Sequence, residues 1–133
     1  QDGSGNLYGT TVQGGSTSCD SGYGCGMVFK LDTTGKKIAL HRFNRTDGAN
    51  PYSPLLRDAS GNLYGTTSEG GAHNKGTVFK LAPNGTFTVL HSFSGPDGAT
   101  PLSGLIRNAT GTLYGTASAG GAHGKGTVYR IAF

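Results

Sequence analysis

The seven residues "GNLYGTT" at 5–11 occur again unchanged at 61–67, and a third version, "GTLYGTA", stands at 111–117. Other phrases follow each copy in the same order. They include a Gly-Gly pair, a strand-like run ("MVFKL", "TVFKL", "TVYRI"), a second run ("IALHRF", "FTVLHSF") and a turn-rich stretch ("TDGANP", "PDGATP"). The chain is therefore a tandem repeat with a period of about fifty residues.

Each period holds four short runs rich in Val, Phe, Tyr, Leu and Thr, separated by Gly, Asn, Asp or Pro. Such runs predict strands, and no segment shows the 3.6-residue apolar period of a helix. Four strands in a repeat of roughly 40–50 residues are typical of β-propeller blades. We predict an all-β, propeller-like array of four-stranded antiparallel blades. It forms one array over 1–133 with about two and a half repeats, near 5–60, 61–110 and 111–133.

Two finer expectations concern the blade itself. The small residues of "LYGTT" predict the crowded innermost strand. Alternation in "FTVLHSF" predicts that Phe87, Val89, His91 and Phe93 share one face of the sheet. Apolar groups on both faces indicate a sheet that neighbouring blades cover on both sides.

The combined pattern "GNLYGTT…GG…GTVFKL…VLHSF…DGATP…GLI" closely resembles the GloVer-type tandem repeat over essentially the whole chain. The resemblance implies a secreted bacterial protein with a propeller-like structure and points to no particular activity. "DASGNLYG" is also similar to a phrase of NHL-type propellers. Kelch repeats share the Gly-Gly pair, but this chain has no Trp.

Counted from "LYGTT", the predicted strands begin and end on the same two strands of the repeat. Two copies of the chain would then lack the strands that complete a blade, which disfavours closure by a simple dimer. Two interpretations remain open: a fragment of a longer chain, or a homo-oligomer that stacks through open ends. An unclosed head-to-tail contact of the second kind generates filaments.

The formal net charge is only +4, and the Lys and Arg residues are spread over equivalent positions of the repeats. A nucleic-acid-binding protein usually concentrates such charge on one face, so we expect no nucleic-acid partner. No apolar run approaches the ~18–20 residues of a membrane span, and we expect none.

Cys19 and Cys25 are the only cysteines, and both lie in a six-residue insertion of the first repeat, within "STSCDSGYGCGM". A disulfide closing this small loop is the favoured interpretation, worth roughly 2 kcal/mol. It indicates an oxidising compartment and hence a secreted protein. The alternative, a metal or redox pair, lacks neighbouring ligands and the C-x-x-C spacing.

Three N-x-T sequences begin at Asn44, Asn84 and Asn108, all in predicted turns. Each is a possible N-glycosylation site. Because Asn and Thr are also common turn residues, turn chemistry is the competing explanation.

Little in the sequence points to catalysis. Most aspartates repeat at turn positions, which suits turn capping better than the two carboxylates of a glycan hydrolase, the minor enzymatic alternative. No Ser-His-Asp or Cys-His spacing and no cluster of metal ligands stands out. We predict no catalytic residue, no metal and no cofactor.

The repeated loops "GGAHNKG" and "GGAHGKG" carry the candidate ligand-binding residues His73, Lys75, His123 and Lys125. Tyr23, in the inserted loop, is a further candidate for stacking on a sugar. Polar loops on a rigid scaffold are where binding concentrates. Two hypotheses follow: a secreted non-enzymatic structural or interaction module that assembles with itself, and a lectin-like propeller that binds glycans through these loops.

Overall fold

The structure is a computed structural model that describes residues 1–133. It contains ten strands, and its single helical element is one 3-10 turn at Asp20–Gly22. The strands are β1 Leu7–Thr11, β2 Met27–Leu31, β3 Lys37–Arg42, β4 Leu56–Arg57, β5 Leu63–Thr67, β6 Thr77–Leu81, β7 Phe87–Ser92, β8 Ile106–Arg107, β9 Leu113–Ala117 and β10 Thr127–Ile131. No helix has the length and apolar character needed to cross a bilayer. The all-β prediction is confirmed.

The strands form three antiparallel sheets, which we call blades 1, 2 and 3. Blade 1 has the order β1-β2-β3, blade 2 β4-β5-β6-β7 and blade 3 β8-β9-β10. The short strand β4 pairs with β5, the strand that follows it, and β8 pairs in the same way with β9. The sequence count of two and a half four-stranded blades is thus corrected to three blades of three, four and three strands. The tight turn before "LYGTT" sets this grouping, because it folds the short strand back onto the next one.

The expected innermost position of "LYGTT" is wrong. An innermost strand lies at a sheet edge, whereas β5 lies between β4 and β6. Its glycine serves a different purpose. Gly65 pairs with Phe79 across the sheet, and a Cβ atom at Gly65 would come within 2.6 Å of the Phe79 ring. The glycine therefore makes room for a cross-strand aromatic ring.

A β-bulge in β3 and another in β7 end the alternation that the sequence suggested. In blade 2, Val78 pairs with His91 and Phe79 pairs with Val89, which leaves Leu90 as the extra residue. Phe87 consequently packs toward blade 1, while Phe93 lies in the core toward blade 3. The prediction that both rings share one face is wrong, because the bulge shifts the later residues to the other face.

Two apolar cores hold the blades face to face. The first joins blades 1 and 2 and includes Val28, Phe43, Leu63, Phe79 and Leu81. The second joins blades 2 and 3 and includes Tyr64, Val78, Phe93, Leu105 and Leu113. Each fully buried large side chain contributes about 1.5–3 kcal/mol. Blade 2 is covered on both faces, as the apolar pattern predicted, and the array is propeller-like.

The long connections at 43–55 and 93–105, which we call the first and second connectors, link consecutive blades. In the first, the Asn50 amide donates to the Cys25 carbonyl of blade 1 at 2.8 Å, and Ala49 exchanges two backbone hydrogen bonds with Glu69 of blade 2. The second connector repeats this pattern: the Thr100 amide donates to the Lys75 carbonyl, and Ala99 exchanges two backbone hydrogen bonds with Ala119. Each connector is therefore a backbone bridge between two blades.

Tyr129 replaces the phenylalanine of the first two repeats, and its hydroxyl is buried without a hydrogen-bond partner. Because an unsatisfied buried hydroxyl is costly, Tyr129→Phe is expected to raise the free energy of unfolding by about 1 kcal/mol. Urea unfolding measures this change. Tyr23→Phe, at a ring that is 69% exposed, is the control and should change stability by less than about 0.5 kcal/mol. Destabilisation by Tyr129→Phe would contradict the argument.

Candidate functional site

The "GGAHxKG" loops join the second and third strands of blades 2 and 3 and lie at the same end of the array as the connectors. Gly70 and Gly71 adopt positive φ, and the Gly76 amide closes the loop by donating to the Gly70 carbonyl at 3.0 Å. The four predicted ligand-binding residues are all exposed at the tips of these loops: His73, Lys75, His123 and Lys125. Their side chains make no hydrogen bond and line no cleft, so a ligand-binding role for them stays a prediction.

In blade 1 the corresponding loop carries a disulfide between Cys19 and Cys25. Both sulfur-bearing residues are buried in the core between blades 1 and 2. Tyr23, inside the disulfide loop, is 69% exposed. The Cys25 carbonyl accepts the same connector hydrogen bond as the Lys75 carbonyl does in blade 2. The disulfide loop therefore replaces the "GGAHxKG" loop without losing the contact between blades.

Arg45, in the first connector, joins the loops of two blades, a role that no sequence pattern indicates. Its guanidinium donates to Asn74 at 3.0 Å and to Glu69 at 3.3 Å, and it reaches Asp20 of the disulfide loop at 3.4 Å. Gly95 stands at the equivalent position of the second connector, so this polar bridge exists only at the first junction.

The structure joins histidines and aspartates that the sequence had treated separately. His41 Nε2 lies 2.8 Å from Asp47 Oδ2, and His91 Nε2 lies 2.6 Å from Asp97 Oδ2. The hydroxyl of Ser94 donates to the other oxygen of Asp97 and makes no hydrogen bond to the histidine, so no Ser-His-Asp relay forms. The pairs attach the first connector to β3 and the second connector to β7.

The turn before each "LYG" is built by an acid and a tyrosine. Asp58 accepts hydrogen bonds from the Asn62 amide groups and from the Tyr64 hydroxyl, and Asp2 does the same with Asn6 and Tyr8. Partial burial opposes ionisation, but these hydrogen bonds outweigh it and hold the pKa of Asp58 below its usual range. Burial and the nearby carboxylate raise the pKa of Tyr64.

A cleft of about 280 Å³ opens between blades 1 and 2 at the end opposite the connectors. We call it the inter-blade cleft. Blade 1 contributes Tyr8, Lys30 and Leu40, and blade 2 contributes Arg57, Leu63, Leu81 and the turns around Ser60–Gly61 and Pro83–Gly85. Two cationic side chains thus line a space with largely apolar walls. The sequence had grouped Lys30 and Arg57 only as repeat-equivalent charges.

The three N-x-T asparagines are all exposed. Asn44 and Asn108 use their side-chain oxygens to accept hydrogen bonds from Thr46 and Thr110, and Asn84 accepts one from the Thr86 amide. These contacts are those of turn residues. Glycosylation stays a prediction.

No group of three or more His, Cys, Asp or Glu side chains is placed to hold a metal ion. The structure instead defines a β-propeller-like tandem-repeat protein, with one cleft between blades and a row of exposed loops.

More narrowly, the chain belongs to the Gloeobacter/Verrucomicrobia repeat family, whose model matches residues 1–133. The resemblance drawn from the repeated phrases is confirmed. Among curated proteins, none matches the chain at a significant level.

One solved structure is similar in part. It comes from Bacteroides fragilis NCTC 9343 and is provisionally described as a 6-phosphogluconolactonase. The two are 20% identical with a TM-score of 0.45, and the alignment covers 95% of this chain and 36% of the other. The chain thus spans about a third of the length of that protein.

Asp58 provides a test of the turn, because the third repeat has Asn108 in its place. A carboxyl whose folded pKa is lowered stabilises the fold above its unfolded pKa, about 3.9, and this stabilisation is lost as the pH falls through the folded value. Asp58→Asn should therefore lower the free energy of unfolding by about 1 kcal/mol at pH 7. This value is at the low end for hydrogen bonds to a charged group, because water partly screens the charge of Asp58. The cost should shrink toward zero in acid.

Urea unfolding at a series of pH values measures this difference. The reciprocal variant, Asn108→Asp, should stabilise the protein near neutral pH and not in acid. A cost for Asp58→Asn that is the same at every pH would show that the charge of Asp58 does not matter.

Proposed function

We propose that this chain is a secreted, non-enzymatic structural repeat module that assembles with further copies of itself through the end faces of its blade stack. One comparison carries the proposal. Val78 in blade 2 is 0% exposed, whereas Val128, at the same position of blade 3, is 81% exposed. The same residue type at the same place in the repeat is a core residue in one blade and a surface residue in the next.

The uncovered face of blade 3 is a continuous apolar surface. It includes Ile106 and Val128, and a shallow groove of about 310 Å³ lies beside them, bordered by Tyr114, Gly115 and Thr116. The matching face of blade 2 is formed by Leu56, Tyr64, Thr66 and Val78 and lies against blade 3. Because the outer face of blade 3 resembles the face of blade 2 that packs against blade 3, it favours a partner with the structure of a further blade.

The opposite end of the stack presents the complementary face. Leu7 of blade 1 is 46% exposed, whereas its counterparts Leu63 and Leu113 are 3% and 0% exposed against the preceding blade. A head-to-tail contact between two copies would repeat the packing that already joins blades within one copy.

The blade count also bears on assembly. Blades 1 and 3 each have three strands, one fewer than blade 2. The expectation that closure by a simple dimer is disfavoured stays a prediction. A closed dimer and an open filament are both outcomes of the same end-to-end contact.

Two further observations support the finer parts of the proposal. The disulfide favours an oxidising environment, in agreement with the secretion implied by the repeat family. The polar clusters found here, the His-Asp pairs and the Asp-Tyr turns, all have structural partners and therefore argue for a scaffold more than for an enzyme.

The assembly proposal predicts that the chain exceeds its monomer mass of 13.5 kDa in solution and that Val128→Lys reduces it to that mass. A lysine on the end face would have to lose its hydration in the contact, which is unfavourable without a partner. Size-exclusion chromatography with light scattering, over a range of protein concentrations, measures the effect.

The control is Tyr52→Lys, which places the same charge on an exposed ring in the first connector. It should leave the mass of the assembly unchanged. A chain that is monomeric at every concentration, or a Val128→Lys variant that assembles as the unaltered chain does, would rule out the proposed contact.

Glycan binding by the "GGAHxKG" loops is the second candidate. Its support is that His73 with Lys75 and His123 with Lys125 are exposed on hydrogen-bonded loops of neighbouring blades. Two weak, linked sites gain affinity through effective concentration.

On a glycan array, the His73→Ala/Lys75→Ala double variant should lose about tenfold or more of any signal if both loops engage one ligand. The matched pair His123→Ala/Lys125→Ala should lose a comparable amount. An array without signal, or a signal that neither double variant changes, would remove these loops as the binding site.

A further inference from the structure

We propose that the inter-blade cleft binds a carboxylated monosaccharide, such as a uronic acid unit of an acidic polysaccharide. This inference does not depend on assembly, because the cleft lies between two blades of the same copy. It also differs from glycan binding by the exposed loops, which lie at the other end of the array.

The first reason is that the cleft carries positive charge without a paired acid. Lys30 of blade 1 and Arg57 of blade 2 both line it, and neither makes an ion pair within the chain. The carboxylate of Asp2, beside Tyr8, already accepts four hydrogen bonds from within its own turn. Asp32 lies within the field of Lys30, but it accepts hydrogen bonds from Thr34 and Lys36.

The second reason is that the Arg57 guanidinium lies between the Gly61 turn and the Tyr8 ring, at the mouth of the cleft. The guanidinium crosses the turn at Gly61, where a Cβ atom would come within 3.3 Å of the Nη2 atom. Gly61 also adopts a φ of +83°, which other residues rarely do. On its other side the guanidinium lies 5.8 Å from the centre of the Tyr8 ring. With no hydrogen bond to the rest of the chain, this guanidinium has free paired donors of the kind that a carboxylate accepts.

The third reason is the apolar wall, which an inorganic anion would not use. The cleft is also lined by Leu40, Leu63, Leu81 and Pro83. Drug-sized ligands occupy pockets of about 300–1,000 Å³, so a cleft of about 280 Å³ suits a smaller molecule of monosaccharide size. The carbon face of a sugar ring would lie on this wall, with its hydroxyl groups toward Ser60 and Tyr8.

The second junction of the array supplies an internal comparison. It repeats the polar set with Tyr64, Lys80 and Arg107. However, Phe133 stands there at the position of Pro83, and its ring lies 6.4 Å from that of Tyr64. The cleft lies at the first junction, and Arg107, at the equivalent position of the second junction, is a matched control for Arg57.

The test is titration of the chain with galacturonate and glucuronate, followed by isothermal calorimetry and by chemical-shift changes in NMR spectra. About 0.3 kcal/mol for each non-hydrogen atom gives a dissociation constant on the order of 1 mM for such a ligand. Arg57→Gln and Lys30→Gln should each weaken binding about tenfold or more. Arg107→Gln should leave it unchanged, and galactose, the neutral analogue, should not bind.

Three outcomes would overturn the proposal. They are the absence of saturable uronate binding, equal binding of inorganic sulfate, and an equal loss of binding in Arg57→Gln and Arg107→Gln. All three substituted side chains reach solvent, so thermal unfolding should show that each variant folds normally. Repeating the titration on the Val128→Lys protein separates this result from assembly, because a monomer that binds uronate supports the cleft whether or not the end faces associate.

Discussion

The spacing between blades depends on one backbone feature, the left-handed residue at the centre of each connector. Asn50 and Thr100 have φ of 54° and 53°, and each stands between a buried alanine and a buried proline. This conformation directs the residue's amide to the preceding blade and its carbonyl to the following one, where Ser68 and Ser118 donate to it. A β-strand conformation at this point would satisfy one blade only.

The glycines directly before β2 and β6 are required by the same bridge. A Cβ atom at Gly76 would lie 2.6 Å from Pro101 and 2.5 Å from the Thr67 carbonyl oxygen, and Gly26 is equally crowded by Pro51. Because the backbone at these glycines lies close to the connector prolines, neighbouring sheets are near enough for Phe43 and Phe93 to be fully buried. The apolar cores therefore follow from the connectors as much as from the strands. In such an array each blade gains stability mainly from its nearest neighbours.

The sequence predicted what is periodic and local: the repeat, the strands, their antiparallel pairing and the disulfide between Cys19 and Cys25. It missed features that depend on which strands pair. The short strand β4 is one of the four predicted runs of the repeat, but its sequence does not show which neighbour it pairs with, so counting from "LYGTT" placed it in the preceding blade rather than with β5. The bulge at Leu90 has no residue signature, and it moved Phe93 to the opposite face. The contact of His41 with Asp47 spans six residues, but it forms only because the connector folds back over the third strand.

Repetition itself distinguishes structural residues from those with a specific role. Contacts that occur in both repeats, such as the His-Asp pairs and the backbone bridge of each connector, are those that join any two neighbouring blades. The first junction departs from the second in three respects: Arg45 stands where the second has glycine, a disulfide loop replaces the "GGAHxKG" loop, and Pro83 stands where the second has Phe133. None of these changes is needed to stack blades, because the second junction stacks without them. The recognition site that we propose accordingly lies at the first junction, and the assembly contact that we propose uses the end faces, which copy the internal interface.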